Sequence, residues 1–293
     1  MNIGEFFSLA CALCWAVAVI MFKRSGETLP PFQLNLIKNL ICAPLLLATA
    51  IGVEGLSLPA LSMQDWLIVI VSGIGGIAIA DTWYFRALNL MGASRTGITA
   101  SLYSPFVIIL SAVYLGERLG SWQYLGFVLV LGGIMLVHYR RNRRDVNLAA
   151  LEKGILYAAG SVLLMAASVV VVKPVLEGEG FFWSVSIRMV AGLAGMMLLL
   201  GAGSRWQQTR LLLAQPQPWL TIVVAAFLGT YLAMVLWLAG YKYTDASVAS
   251  ILNETAAAFI VLFAWLFLKE ALEKQKMLGM ALTLAGVFIV LQW

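Results

Sequence analysis

Long apolar runs alternate with short charged or proline-bearing clusters along almost the whole chain. No charged residue lies between Arg95 and Glu117, between Lys153 and Lys173, or between Arg210 and Lys242. Runs close to the roughly 20 residues that cross a hydrocarbon layer predict membrane-spanning helices, not strands or a soluble core. Ten spans follow, at roughly 3–22, 34–53, 66–88, 95–115, 121–138, 154–173, 181–201, 219–241, 246–268 and 276–292. The connections are short and carry helix breakers, such as Pro30 and Pro31 after the first span and Pro216 and Pro218 before the eighth. None is long enough for a second globular domain.

Composition agrees with this pattern. Of 293 residues, 62% are hydrophobic and 11% charged, against about 25% charged in an ordinary soluble domain. Glu5 is the only charged side chain before Lys23, so the first run lacks the basic leader of a secretory signal and reads as a permanent helix. Cys11, Cys14 and Cys42 all fall inside apolar runs, where small buried residues are expected and not ligands or disulfides. With one histidine, His138, there is no ligand set for zinc, and neither a metal nor another cofactor is expected. No phosphate-binding GxxxxGK[ST] loop is present, and scattered serines beside a lone histidine do not make an enzyme centre.

The basic residues set an expected orientation, because cytoplasmic loops retain lysine and arginine. With the N-terminus outside, the inner side collects 15 of the 19, including Lys23, Arg24, Arg95, Arg140, Arg141, Arg143, Arg144, Arg205 and Lys269. The outer side keeps Arg118, Lys173, Arg188 and Lys242. A multi-pass protein of the cell (inner or plasma) membrane is expected, with both termini outside. The net charge of +5 then reflects topology and lipid headgroups, and nucleic acid is not a partner.

The chain also repeats itself. A shift of 153 residues pairs Gly76 with Gly229, Ala93 and Ser94 with Ala246 and Ser247, Phe106 with Phe259, Glu117 with Glu270, and Gly133 with Gly286. A shift of 150 pairs Lys23 with Lys173, Phe32 with Phe182 and Lys38 with Arg188. Two halves of five spans, 1–145 and 150–293, are therefore expected. An odd number of crossings per half makes the second enter from the opposite side, the inverted arrangement common among secondary transporters. The expected fold class is an all-α integral membrane protein of ten transmembrane helices in two inverted five-helix repeats.

The segments YFRALNLMGASRTGITASLYSPFVIILSAVYLGERLGSWQYLGFVLVLGGIMLV and LWLAGYKYTDASVASILNETAAAFIVLFAWLFLKEALEKQKMLGMALTLAGVFIVL resemble EamA-type repeats of the drug/metabolite transporter superfamily. The LGE at 115–117, the LKE at 268–270 and the LG pairs that follow carry the resemblance. Where that pattern often has Glu-Pro, this chain has Ala256 and Ala257. The resemblance implies ten helices, a central cavity and transport or efflux of a small metabolite. Alternating access with proton exchange is the leading expectation. A channel or a sensory or assembly subunit is the alternative.

Ionisable groups inside spans need a partner, a wet cavity or a purpose. Asp81 and Glu254 are the candidate proton-coupling residues. Arg86 stands some 140 degrees around the helix from Asp81, so Asp81 must turn to water or to another helix. Tyr84 shares its face. Ser247, Ser250 and Glu254 form a polar stripe mirrored by Ser94, Gly97, Ser101 and Ser104, with Tyr103 and Asn253 flanking it. Lys38 and Arg188 suit an anionic or zwitterionic substrate, or else snorkel to headgroups. Trp15, Trp83 and Trp237 are candidates for an aromatic lining, or for interface anchors. The substrate-contact set is thus Trp15, Lys38, Tyr84, Ser101, Tyr103, Arg188, Trp237 and Asn253. Gly126, Gly133, Gly279 and Gly286 suit close packing between the halves or between subunits of a homodimer.

Overall fold

A computed structural model describes residues 1–25, 29–138, 148–178, 180–201, 205–268 and 274–292. Among these there is no strand. The helices of the first half are α1 (Ile3–Ser25), α2 (Pro31–Glu54), α3 (Met63–Gly73), α4 (Asp81–Ala100), α5 (Tyr103–Tyr114) and α6 (Ser121–His138). Those of the second are α7 (Leu148–Glu177), α8 (Phe181–Gly201), α9 (Arg205–Leu213), α10 (Trp219–Ala226), α11 (Ala233–Tyr243), α12 (Ala246–Asn253), α13 (Ala256–Leu268) and α14 (Lys274–Gln292). Two π-helical segments, Ile74–Ala80 and Phe227–Leu232, join α3 to α4 and α10 to α11.

Eight stretches of described helix are long and apolar enough to cross a membrane, and the apolar helices Tyr103–Tyr114 and Ser121–Leu136 are shorter. Val113, Leu156, Leu198, Leu220 and Phe288 are exposed on the outside of the bundle, as a lipid-facing surface requires. Proline and capping chemistry explain the starts. Pro31 opens α2, and Ser62 and Asp65 form a reciprocal capping box on α3.

Two features depart from the expected spans. The connection expected near 88–95 stays helical through Ala100, since no proline interrupts it. The spans expected at 95–115 and 246–268 are each broken, by a turn at residues 101–102 and at residues 254–255. The arginine cluster Arg140, Arg141, Arg143 and Arg144, and Lys269 with Glu270, lie outside the described residues, as do the side chains of Lys23, Arg24, Ser94, Arg95, His138 and Arg205.

Packing crosses between the halves. Helix α1 lies against α10 to α13, α7 against α3, α4 and α5, α2 against α8, and α6 along α14. The last pair holds the glycines singled out by spacing. A Cβ on Gly133 would sit 2.5 Å from the Gly279 carbonyl oxygen, and one on Gly126 would sit 2.6 Å from that of Gly286. Backbone meets backbone there, so the contact joins the two halves of one chain. Gly132, one residue away, has nothing within 4 Å of an added Cβ. Gly133→Leu should therefore lower stability by about 1–3 kcal/mol, measured by equilibrium unfolding in detergent, while Gly132→Leu should leave it nearly unchanged. Equal effects would contradict this packing.

Candidate functional site

The charged centre begins on α2. Asn35, Lys38, Asn39 and Cys42 follow helical spacing on one face, and all four are buried. They meet the irregular turns of the π segments. A widened turn leaves carbonyls poorly matched within its own helix, and inside a bilayer they need another donor. Asn35 Nδ2 donates to the Ile77 carbonyl at 3.2 Å, Thr82 Oγ1 to Ala78 at 2.6 Å and Ser161 Oγ to Ala80 at 2.7 Å. At the second π segment Cys42 Sγ reaches the Ala226 carbonyl at 3.2 Å.

Asp81 follows the first π segment directly and forms an ion pair with Lys38, Nζ to Oδ2 3.0 Å. As the helical angle required, its partner is on another helix. Arg86 instead lies over the Tyr157 ring, 5.7 Å from its centroid. The Lys38 side chain is 6% exposed and that of Asp81 20%, so the pair is reached from the carboxylate side.

Arg188 occupies the next layer. Its Nη2 donates to Ser168 Oγ at 2.9 Å, and its guanidinium carbon sits 5.4 Å from the centre of the Trp237 ring. Gly76 makes room for this group, since a Cβ there would lie 2.6 Å from Ser168 Oγ and 2.9 Å from Nη2. Neither Lys38 nor Arg188 snorkels to an interface, because both are buried. Trp237 stands edge-on to Tyr241 at 5.6 Å, and the Tyr241 and Tyr103 hydroxyls are 2.7 Å apart.

A polar ladder joins α5 to α12. Ser104 Oγ lies 3.0 Å from Glu254 Oε1 and 3.1 Å from the Ser250 carbonyl, and donates to one at a time. Ser111 and Ser247 share a hydrogen bond of 2.7 Å. Glu117 accepts from the backbone amides of Ala246 and Ser247 at 2.9 and 3.0 Å, capping α12. Gly116, at φ +73°, makes the turn that swings Glu117 across. Beside this cap and outside the spans, Asp245 is pushed above the usual carboxylate range by burial, and further by the Glu117 carboxylate.

Pairwise electrostatic contacts link this layer: Tyr84 with Asp81 and Glu254, Tyr103 with Arg188 and Glu254, Arg188 with Asp81 and Tyr241, and Tyr241 with Glu254. Ser101 is buried at the turn after α4. Asn253 Nδ2 donates back to the Ala249 carbonyl at 2.9 Å. Two tryptophans lie apart from this set. Trp15 packs on the apolar cluster of Ala18, Phe22, Leu34, Ile37 and Ile222, and Trp83 lies against Tyr157 and Gly160.

Residues not picked from the sequence complete the arrangement. Tyr241, Ser168 and Ser161 sit in apolar runs, where a single hydroxyl gives no periodic signal. Asn35 and Asn39 were legible in principle, because they share the helical face of Lys38. Glu54 accepts from the Phe182 and Trp183 amides at 2.8 and 3.0 Å and caps α8. Lys173 donates to the Tyr241 and Thr244 carbonyls, and Lys242 to those of Leu176 and Gly178.

Residues 2–139 and 152–292 each match the EamA-like transporter family. The chain belongs to that family. A crystal structure superposes on 98% of this chain and 95% of its own, with a TM-score of 0.81 at 21% identity, which shows the fold. An uncharacterized transporter of Archaeoglobus fulgidus is 22% identical over 94% of this chain and 93% of that protein. The aromatic amino acid exporter YddG of Ancylobacter novellus is 30% identical over 43% of this chain and 42% of that protein. This EamA-like chain is thus a multi-pass membrane protein of the drug/metabolite transporter type, not an enzyme, with a small molecule as its partner.

The Lys38–Asp81 pair makes an energetic prediction about this EamA-like centre. Removing one member of a buried pair strands the other, at a cost of about 3–5 kcal/mol, whereas removing both does not. Lys38→Met and Asp81→Asn should each destabilise by about 3 kcal/mol, the lower end of that range because Asp81 is partly exposed. The double variant should lose clearly less than the sum in a double-mutant cycle of unfolding. Additive losses would show that the two charges do not interact.

Proposed function

We propose that the chain is a secondary carrier, working as an exporter of a small polar or amphipathic metabolite by alternating access. In this reading ten helices cross the inner or plasma membrane as two inverted five-helix repeats, 1–145 and 150–293, with both termini outside. The site is the set Asp81, Tyr84, Tyr103, Arg188, Trp237 and Glu254, bordered by Lys38, Ser101 and Asn253. Trp15 belongs to the substrate path only if the route extends along α1.

The observation that carries the proposal is the recurrence of backbone irregularity at one spacing. The π segments begin at Ile74 and Phe227, and the helix breaks fall at 101–102 and 254–255, each pair 153 residues apart. That is the offset of the sequence repeat. Interrupted helices in corresponding positions of two halves are where transporters of this plan hold their substrates. The reciprocal packing of α1 on the second half and α7 on the first supports the same symmetry. The YddG relative, named an exporter of aromatic amino acids, makes those compounds the first probes.

Alternation also needs one face closed while the other opens. Glu54 and Glu117, both on the first half, cap the starts of α8 and α12 on the second, and in the proposed topology all four ends lie on the outer side. These caps are the closed gate of this conformation. Glu254 is the preferred coupling residue, because Asp81 is occupied by Lys38. As a carboxylate Glu254 accepts from Ser104; once protonated it carries a donor of its own, and the α5–α12 contact must rearrange.

Proteoliposome flux of aromatic amino acids tests this. Uptake should saturate, show counterflow and follow an imposed pH gradient, and Glu254→Gln should abolish the gradient-driven component while the protein still inserts normally. Unchanged pH dependence would remove Glu254 from the coupling role, and flux linear in concentration would favour a channel.

A further inference from the structure

Arg188 is 1% exposed, yet its donors are mostly unused. Nη2 donates to Ser168 Oγ at 2.9 Å, while Nε and Nη1 have no hydrogen-bond partner. The ion pairs among the described residues are Met1 with Glu5, Lys38 with Asp81 and Lys173 with Glu177, so none of them compensates Arg188. A guanidinium does not escape by losing its proton. A charged, multiply unsatisfied donor is costly inside a span, and what fits it is an anion that arrives with the cargo.

Its repeat-equivalent, Lys38, differs on this point. Lys38 is paired with Asp81 at 3.0 Å, which offsets its charge. Arg188 is therefore the cation of the centre without a direct ion-pair partner among the described residues, and its single open guanidinium matches a singly charged planar carboxylate better than a phosphate dianion. The Trp237 ring centre lies 5.4 Å from the guanidinium carbon and holds the group by a cation–π contact. Glu254 supplies a negative group for an ammonium, and Tyr103 lies within electrostatic reach of both Arg188 and Glu254. Tyr103 and Trp237 are both only partly buried, and both lie beside the Arg188 layer.

The geometry points to Arg188 as the carboxylate-binding residue of a site for amino-acid-like zwitterions, with the substrate's side group against Trp237 and Tyr103. This assignment rests on the carrier reading above. Arg188 is the selecting group because the forked guanidinium, unlike a point charge, rewards a planar acceptor with paired hydrogen bonds. Ser168 and the missing side chain of Gly76 hold that fork in place.

The test is equilibrium binding to the full chain purified in detergent, by isothermal titration calorimetry with L-phenylalanine and L-phenylalaninamide. The acid should bind at least about tenfold tighter than the amide. Arg188→Lys should weaken the acid by about tenfold, leave the amide unchanged and so remove the preference. Arg188→Met should abolish acid binding. A merely structural role would weaken both ligands equally, and that result, absence of acid binding, or an acid preference surviving in Arg188→Lys would overturn the assignment. Dihexanoyl phosphatidylserine binding in place of the free amino acid would assign the carboxylate to a lipid and overturn it as well. Arg188-dependent binding without saturable flux in proteoliposomes would sink the carrier reading and leave the binding site standing. Saturable flux without acid preference would do the reverse.

Discussion

Inside a bilayer no backbone carbonyl, amide or charge can be left to water, and each must be matched by another part of the protein. That constraint governs where this chain is regular and where it is not. Over most of their length the helices satisfy themselves and show leucine, valine and phenylalanine to the lipid. At the two π segments and the two helix breaks they do not, and polar side chains gather there. Asn35, Thr82 and Ser161 answer the carbonyls of the first π segment, Cys42 answers one at the second, and Ser104 answers the end of α12. The polar centre is the consequence of irregular backbone at a depth where irregularity has to be paid for.

The same rule separates two kinds of charge. Glu54, Glu117, Lys173 and Lys242 lie near helix ends and are consumed by capping, each holding two backbone groups of another helix. Lys38 and Asp81 consume each other. Arg188 and Glu254 are left with hydroxyl partners, Ser168 and Ser104, which hold them in place without cancelling their charge. In the proposed carrier the first set determines which face is closed, and the second determines what is carried.

Much of this was legible in the sequence because membrane helices announce themselves by length and charge spacing. The span at 181–201 coincides with α8, and the glycines of α6 and α14 were placed on contact faces by their seven-residue separation. The π segments were not legible, since IGGIAIA and FLGTYL read as ordinary apolar helix; a widened turn is set by the partners that accept it. The break at Glu254 was hidden in the same way. Asp81 was correctly separated from Arg86 by angle, but its pairing with Lys38 joins positions 43 apart in sequence and depends on how α2 meets α4. Trp15 and Trp83 left two readings open in the sequence, and the structure packs Trp15 on an apolar cluster and Trp83 against Tyr157, contacts that only the tertiary arrangement reveals.

In the proposed carrier the two halves exchange which face is closed around the Arg188–Glu254 centre, with Glu54 and Glu117 as the latch. Electron–electron double resonance reads this exchange, with spin labels at Ser57 and Tyr243 across the latched face and at Asn89 and Gln215 across the other. Cys11, Cys14 and Cys42 are replaced for this purpose. When Glu54→Gln and Glu117→Gln are introduced together, the first distance should lengthen while the second shortens. Distributions that stay fixed on both faces, or lengthen together, would contradict it.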